Sequence, residues 1–202
     1  MNNLPNLPNV EYYPSFLSKE KADDYFFELL NSLEFKPETY TFKSRDNSSS
    51  VILETKRKMS YHSEKSYSYS NQVYTGNAWN SILLELKNQV EKFTGYDFNA
   101  VLCNHYDNGE AGMGWHADKE KELGDSPIIA SLSFGESRVF AFRHRKEVVN
   151  MKNPPRLCEY NLGSGDLLIM KGDTQKYFEH CVVKNKSING TRINLTFRKI
   201  VT

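Results

Sequence analysis

The chain has 202 residues, with 26 Lys or Arg against 25 Asp or Glu, so its formal net charge is +1. This length is enough for one domain with a sizeable core. The near-neutral balance argues against a protein that grips nucleic acid by bulk charge, but it leaves room for a local basic rim.

Cysteine usage and hydropathy predict an intracellular protein without a membrane span. Cys103, Cys158 and Cys181 are odd in number and widely spaced, which indicates free thiols in a reducing compartment. The N-terminal residues lack a charged segment followed by an apolar run, and no window approaches about eighteen apolar residues. Neither secretion nor a membrane span is therefore supported, and the choice between nucleus and cytoplasm stays open.

The N-terminal third is expected to contain an arm, a helix and a hairpin. Residues 1–13 are predicted to be a flexible arm. Ser18 suits the N-cap of a helix that reaches about Leu33, because apolar residues follow it at helical spacing. Residues 34–70 then favour a long hairpin whose polar turn is KSRDNSSS.

The stretch KRKMSYHSEKSYSYSN mixes basic and aromatic residues, among them Arg57, Tyr67 and Tyr69. Such a mixture suits phosphate contacts beside rings that stack on bases. It is also typical of a twisted sheet edge, so alone it does not decide between the two. A second helix follows, with Asn77 predicted as its N-cap and Gly95 just past its end.

From residue 98 onward, short strands are predicted at close intervals. They lie around Ala100–Tyr106, Met113–Asp118, Pro127–Phe134, Arg138–Phe142, Leu157–Leu162, Asp166–Met170, Glu179–Val183 and Thr191–Ile200. Many short strands separated by turns indicate a sandwich or a barrel, and a double-sheet jelly roll fits this pattern. The predicted fold class is mainly β with flanking helices (α+β).

A His-x-Asp pair lies in the middle of this strand-rich region. On an extended strand, His116 and Asp118 point to the same face about 7 Å apart and can converge on one ion. His180 is the candidate for a third ligand. Two histidines and one carboxylate with open positions suit non-heme Fe(II) that handles O2. The pair alone is weak evidence, because acidic residues are frequent in this chain.

The C-terminal segment RINLTFR places four polar residues on one face of a strand, namely Arg192, Asn194, Thr196 and Arg198. A buried arginine is costly unless a carboxylate pairs with it, and a bidentate guanidinium is a usual means of holding a small organic acid. This face therefore predicts a bound organic acid.

Taken together, these residues resemble the AlkB-like iron and 2-oxoglutarate dioxygenases. The resemblance rests on His116-x-Asp118, His180, the two strand arginines, Asn104-x-Tyr106 and SPIIASLSFGESRVFAFRHR. It is close from residue 98 to residue 201 and looser before that. It implies a double-stranded β-helix (jelly roll) as the catalytic core over residues 98–202, and supporting helices with a nucleotide-recognition lid over residues 14–97.

The resemblance also implies a cofactor and a co-substrate. Fe(II) would be held by His116, Asp118 and His180, with O2 as the oxidant. Arg192 would pair with the distal carboxylate of 2-oxoglutarate, and Arg198 would hold the end that carries the C1 carboxylate. The remaining contacts to 2-oxoglutarate would come from Asn104, Tyr106, Asn194 and Thr196.

The implied activity is oxidative dealkylation of N-alkylated bases, such as 1-methyladenine and 3-methylcytosine, in direct-reversal repair of DNA. By the same resemblance, Tyr67 and Tyr69 would flank the mouth of the substrate pocket, and Glu120 would lie near the bound base. Arg57, Lys184 and Lys186 complete the predicted substrate contacts. The alternatives are an RNA demethylase and, less favoured, a protein hydroxylase of the same fold. An intact ligand set argues against a non-catalytic binding module.

Two departures from the duplex-repairing relatives bear on the substrate. Those relatives carry a bulky apolar residue at a hairpin tip, where this chain has SSS. They also carry a consecutive basic run before the first strand arginine, where KNKSINGT offers only two lysines. Flipping a base is least costly when it is already unpaired, so we predict a preference for single-stranded nucleic acid. The protein is expected to act as a monomer.

Overall fold

The computed structural model describes residues 4–43, 50–65, 67–69 and 72–201, and only the backbone of residues 42–43, 67–69 and 72–74. Apart from Ser50, the predicted serine-rich tip lies outside the described part, as do the side chains of Tyr67 and Tyr69. The strands are β1 (Val10–Tyr13), β2 (Lys36–Lys43), β3 (Ser50–Ser63), β4 (Tyr67–Tyr69), β5 (Gln72–Tyr74), β6 (Ala100–Tyr106), β7 (Met113–His116), β8 (Ile129–Gly135), β9 (Arg138–His144), β10 (Arg156–Leu162), β11 (Leu167–Met170), β12 (Phe178–Val182) and β13 (Arg192–Arg198). The helices are α1 (Lys19–Ser32), α2 (Ser81–Thr94), α3 (Lys146–Val149) and α4 (Thr174–Tyr177), with a 3-10 turn at Lys121–Leu123.

The strands form a large sheet, a small sheet and a two-stranded ribbon. The large sheet has the order β1-β11-β8-β13-β6-β3-β2, the small sheet has the order β10-β9-β12-β7, and the ribbon pairs β4 with β5. Pairing within both sheets is antiparallel. The sheets pack together through a cluster that includes Ile129 and Met170 of the large sheet and Phe142 and Phe178 of the small one. The predicted fold class is confirmed.

Alternation along the central strands of the large sheet separates an apolar face from a polar one. On β13, Ile193, Leu195 and Phe197 are fully buried and share a core cluster with side chains of α1 and α2. Because successive side chains of a strand point to opposite faces, the polar residues of β13 face the small sheet. The two long helices therefore back the large sheet, as predicted, and leave its polar face turned inward. Among the described residues, no helix is long and apolar enough to cross a membrane.

The predicted flexible arm is wrong for its last part. Residues 10–13 form β1, which pairs with β11 at the edge of the large sheet. The hydroxyl of Tyr12 donates to Asp166 Oδ2 at 2.7 Å, and the backbone N–H of Ser15 donates to Asp166 Oδ1 at 2.8 Å. A four-residue strand has too little pattern to be recognised locally, and its partner lies more than 150 positions away in the sequence.

The two long helices begin and end close to the predicted positions. The side chain of Ser18 caps α1, and Gly95 ends α2 in the left-handed region with a φ of 74°. The predicted N-cap Asn77 is wrong, because the side chain of Asn80 accepts from Leu83 N instead, at 2.9 Å. Asn77 is held outside the helix by a bridge to His62.

The predicted hairpin is formed by β2 and β3, but it is not a separate unit. β3 pairs on its other side with β6, so the hairpin extends the large sheet. The pairing of β2 with β3 shifts register between Pro37 and Thr39. Such bulges re-aim a side chain and are frequent next to functional sites.

Candidate functional site

The three predicted metal ligands meet at one end of the small sheet. His116 and His180 are direct cross-strand partners on β7 and β12. β7 ends at His116 instead of reaching Asp118 as predicted, yet the carboxylate still lies beside both rings. Each Nε2 atom of the two histidines lies 3.8 Å from an oxygen of Asp118. The ligand atoms of all three residues lie within 4.8 Å of one another.

Contacts around these residues orient their lone pairs. Nδ1 of His116 lies 2.8 Å from the carbonyl oxygen of Gly114, so Nδ1 carries the proton and Nε2 keeps its lone pair. The backbone N–H of Asp118 donates to Oε1 of Gln175 at 2.9 Å, which fixes the loop that carries the carboxylate. Two imidazole nitrogens and one carboxylate form a donor set that fits Fe(II).

The charges of these groups also fit a bound cation. Burial alone would raise the pKa of Asp118, but Arg198, whose Nη2 lies 3.2 Å from Oδ1, and the two histidines lower it to about 2. Burial, reinforced by His116, lowers the pKa of His180 to about 3. Burial also lowers the pKa of His116. At neutral pH the carboxylate is charged and both rings are neutral, as metal ligation requires.

A cavity beside the three ligands is walled by most of the predicted 2-oxoglutarate residues. These are Asn104, Tyr106, Asn194, Thr196 and Arg198. They lie on one face because β6 and β13 are paired in a register that sets Asn104 opposite Asn194. The rest of the wall comes from the three ligands themselves and from Arg57, Leu102, Met113, Ser131, Phe140, Met170 and Val182.

Arg192 is buried behind the Tyr106 end of this cavity and is not part of its wall. Its side chain is 1% exposed, and its guanidinium carbon lies 5.3 Å from the centre of the Tyr106 ring. Nη2 donates to the hydroxyl of Ser133 at 3.0 Å, whereas Nε and Nη1 have no hydrogen bond of good geometry within the described residues. Burial lowers the pKa of Arg192 to about 10. A buried cation with two donors that lack a well-formed hydrogen bond suits a carboxylate.

The predicted substrate residue Arg57 lies in the wall of the cavity and not at the surface. Arg57 is 4% exposed. Its guanidinium forms an ion pair with Glu38 and donates a hydrogen bond to Oδ1 of Asn104. A surface phosphate contact does not fit this position, because both ends of the guanidinium are already engaged. The basic run KRK suggested a surface position for all three of its residues. On the strand β3, however, Arg57 points inward, and Lys56 and Lys58 point to the opposite face.

The other predicted substrate contacts lie around the rim or beyond it. Lys184 and Lys186 are exposed, and with Lys56 they lower the pKa of Glu110. Glu120 is half-buried, comes directly before the 3-10 turn, and is not among the cavity-lining residues. Tyr67 and Tyr69 are described only as backbone of the β4–β5 ribbon.

Sequence reasoning missed Arg138, which ties the loops around the cavity together. Its side chain is 1% exposed and donates to the carbonyl oxygens of Asn108, Ala111 and Val183 at 3.1, 2.7 and 2.8 Å. Its guanidinium carbon also lies 5.7 Å from the centre of the Tyr106 ring. Backbone carbonyls leave no trace in side-chain spacing, so the sequence carried no signal for this role.

Comparison with known proteins connects this geometry to a family. Residues 9–198 match the model of the 2OG-Fe(II) oxygenase superfamily. The chain is 37% identical over 198 residues to the alpha-ketoglutarate-dependent dioxygenase alkB homolog 3 of Bos taurus, which covers 93% of this chain and 64% of that protein. For the human protein of the same name the identity is 34% over 199 residues, with 93% and 65% covered. The DNA oxidative demethylase ALKBH2 of Bos taurus is 37% identical over 138 residues, with 67% and 49% covered.

A solved structure of OsALKBH1 matches with a TM-score of 0.62 at 16% identity, covering 96% of this chain and 99% of the other, and supports the fold alone. The chain spans less than two thirds of the length of the curated relatives named above. The similarity to AlkB-like dioxygenases that the sequence motifs predicted is confirmed by these matches.

Proposed function

This chain belongs to the 2OG-Fe(II) oxygenase superfamily, and on that premise we propose that it is an Fe(II)- and 2-oxoglutarate-dependent dioxygenase that removes alkyl groups from bases such as 1-methyladenine and 3-methylcytosine in DNA. One observation carries the proposal: the ligand set of His116, Asp118 and His180 adjoins a cavity, and behind that cavity Nε and Nη1 of the buried Arg192 have no hydrogen bond of good geometry within the described residues. A metal site beside a carboxylate site suits a keto acid that binds at both of its ends. The matched relatives include proteins named dioxygenase and DNA oxidative demethylase.

Each group of residues has a task that its position allows. The two histidines and Asp118 would hold Fe(II), which with bound 2-oxoglutarate supplies oxidation by O2 coupled to decarboxylation. Arg192 and Tyr106 would hold the distal carboxylate of the keto acid. Arg198 offsets the charge of Asp118, from which its Nη2 lies 3.2 Å away.

The cavity wall combines polar anchors with apolar side chains. Nδ2 of Asn194 donates to the hydroxyl of Ser131 at 2.8 Å, and the hydroxyl of Thr196 donates to Oδ1 of Asn194 at 3.0 Å. These bonds fix the polar wall before any ligand enters. Phe140 and Met170 add apolar surface to this wall, which limits the water around the bound groups.

The direct test begins with anaerobic titration of Fe(II) and 2-oxoglutarate and continues with mass spectrometry of methylated oligonucleotides. We expect binding of both, succinate formation in air, and a mass loss of one methyl group, replaced by hydrogen, per repaired base. Matched DNA and RNA oligonucleotides distinguish a DNA from an RNA substrate. Binding of 2-oxoglutarate without any change in either nucleic acid would refute the proposed substrate class, and a methylated peptide would then be tried.

We further propose that single-stranded nucleic acid is preferred. In place of a consecutive basic run before β13, the chain carries only Lys184 and Lys186 in KNKSINGT, which suits a grip on one strand. The described part of the hairpin does expose Val51, Ile52 and Leu53, which are 52%, 67% and 54% exposed. These three side chains are the nearest alternative to a wedge at the tip, that is, to a bulky apolar residue that fills the gap left by a flipped base.

The strand preference is measured as the ratio of initial rates on matched single- and double-stranded oligonucleotides that carry 1-methyladenine. We expect the single strand to react faster. Equal rates, together with a selective loss of duplex activity in Ile52→Ser, would assign the wedge to β3 and refute the preference.

The protein is proposed to act as a monomer in a reducing intracellular compartment, in keeping with its three free cysteines.

A further inference from the structure

A buried chain of polar contacts leads from the hairpin into the cavity. Glu38 of β2 and Arg57 of β3 form an ion pair in which the side chains are 2% and 4% exposed. The other arm of the Arg57 guanidinium donates to Oδ1 of Asn104 on β6. Asn104 and Arg57 both line the cavity that adjoins the metal ligands. Glu38 is not among the residues that line this cavity, and its ion pair with Arg57 connects it to the wall.

The bulge in the hairpin creates this arrangement. Pro37 lies opposite Lys58 and Thr39 lies opposite Glu54, so Glu38 alone on β2 faces three residues of β3. Its backbone N–H donates to the hydroxyl of Thr55 at 3.0 Å, and the hydroxyl of Tyr40 donates to Oε1 of Glu38 at 3.3 Å. Both ends of Glu38 are fixed, and its carboxylate is aimed at Arg57.

The contact with Arg57 decides which way the amide of Asn104 points. A guanidinium has only donors, so the amide oxygen must face it, and the amide nitrogen is left for the cavity. Without a guanidinium in this position, the amide is free to turn its oxygen towards the cavity. An amide oxygen would repel a carboxylate or keto oxygen, whereas an amide N–H donates to it.

We propose that Glu38 is a positioning residue for 2-oxoglutarate, which holds the Arg57 guanidinium so that Asn104 presents its amide N–H to the co-substrate. The inference rests on the proposed function. It gives the hairpin a role in co-substrate affinity in addition to any contact with nucleic acid. Arg57 has to bridge two partners, so its forked shape is needed as well as its charge.

The experiment measures 2-oxoglutarate dissociation constants by calorimetry on the Mn(II)-loaded chain without oxygen, at a temperature where circular dichroism shows each variant folded. In Glu38→Gln we expect affinity to fall about tenfold, the size of one hydrogen bond to a charged group. Arg57→Lys keeps the cation but has only one nitrogen, so we expect a similar fall. Glu34→Gln is the matched control, because the Glu34–Lys36 pair at the same end of the hairpin is 78% and 72% exposed.

A double-mutant cycle separates positioning from general loosening of the site. In an Asn104→Ala background, Glu38→Gln and Arg57→Lys should each change the 2-oxoglutarate dissociation constant less than about twofold, because the group they orient is gone. The Mn(II) dissociation constant should be unchanged throughout. The proposal would be overturned if Glu38→Gln still lowered the affinity tenfold in the Asn104→Ala background, or if Arg57→Lys kept the wild-type affinity for 2-oxoglutarate. A wild-type chain that binds no 2-oxoglutarate would refute the proposed function itself.

Discussion

Arg192 provides a prediction in which stability and ligand binding change in opposite directions. The side chain is 1% exposed, and burial lowers its pKa from the usual range of a guanidinium to about 10. At about 1.4 kcal/mol per factor of ten, this depression corresponds to roughly 3 kcal/mol of unfavourable free energy in the folded protein. Because the charged form is the one that burial disfavours, the whole cost is present at neutral pH and is relieved only as the pH rises through the folded pKa.

Replacing Arg192 with methionine removes this cost and keeps most of the volume of the side chain. The variant loses the hydrogen bond that the charged guanidinium donates to Ser133, worth roughly 2 kcal/mol, whereas the interaction with Tyr106 is already included in the lowered pKa. We expect the ligand-free Arg192→Met protein to be more stable than the wild type by about 1 kcal/mol in urea unfolding. Its affinity for 2-oxoglutarate should fall by about thirtyfold or more, because the distal carboxylate loses its partner.

Arg198→Met is the matched comparison on the same strand. Arg198 forms an ion pair with Asp118, so its loss leaves a buried carboxylate without that partner and should lower the stability of the metal-free protein by about 3 kcal/mol or more. If Arg192→Met were the less stable of the two, or if it kept wild-type affinity for 2-oxoglutarate, Arg192 would not be a cation held ready for a carboxylate.

Three further predictions test the metal ligands, a loop contact and the hydroxyl that supports the buried arginine. Asp118→Asn should weaken Mn(II) binding at least about tenfold in a titration while circular dichroism stays unchanged, since the anionic ligand is lost and the shape is kept. Gly109→Ala should lower the midpoint of urea unfolding, because its Cβ would lie 1.8 Å from the carbonyl oxygen of Asn185, whereas Gly114→Ala meets nothing within 4 Å and should leave the midpoint unchanged. Ser133→Ala should weaken 2-oxoglutarate binding by about tenfold, the lower end of the range for a hydrogen bond from a charged donor, and a much larger loss in calorimetry would mean that the hydroxyl has a second role.

The polar face of β13 shows why much of this site was readable from the sequence. In RINLTFR, period-two alternation sends Ile193 and Leu195 to the helices and Arg192 and Asn194 to the other face, whatever the neighbouring strands are. The triad is partly local in the same way, because His116 and Asp118 are two residues apart. To predict His180 as the third ligand, one had to expect in addition that a strand distant in the sequence pairs beside this pair of residues.

The features that the sequence did not reveal depend on register and on distant partners. The place of Glu38 results from a bulge, and no residue pattern in β2 specifies how many residues of β3 face it. Asn77 and Asn80 are the same residue type and have equal capping ability, so residue type alone does not decide between them. In the structure Asn80 accepts from Leu83 N, and Asn77 forms a bridge to His62. β1 became visible only through its pairing with β11.

The two halves of the site come from different sheets, so the packing between the sheets determines the distance between them. The histidine ligands lie on β7 and β12 of the small sheet, and the residues assigned to 2-oxoglutarate lie on β6 and β13 of the large one. Phe140 of β9 lines the cavity and stacks on His180, with ring centres 5.1 Å apart and planes 29° apart. Close-packed interiors resist small displacements, so a ring in this position helps to set how far the histidine ligands lie from the residues assigned to 2-oxoglutarate. A keto acid that binds at both of its ends needs that distance fixed, and two rigid sheets fix it better than loops would.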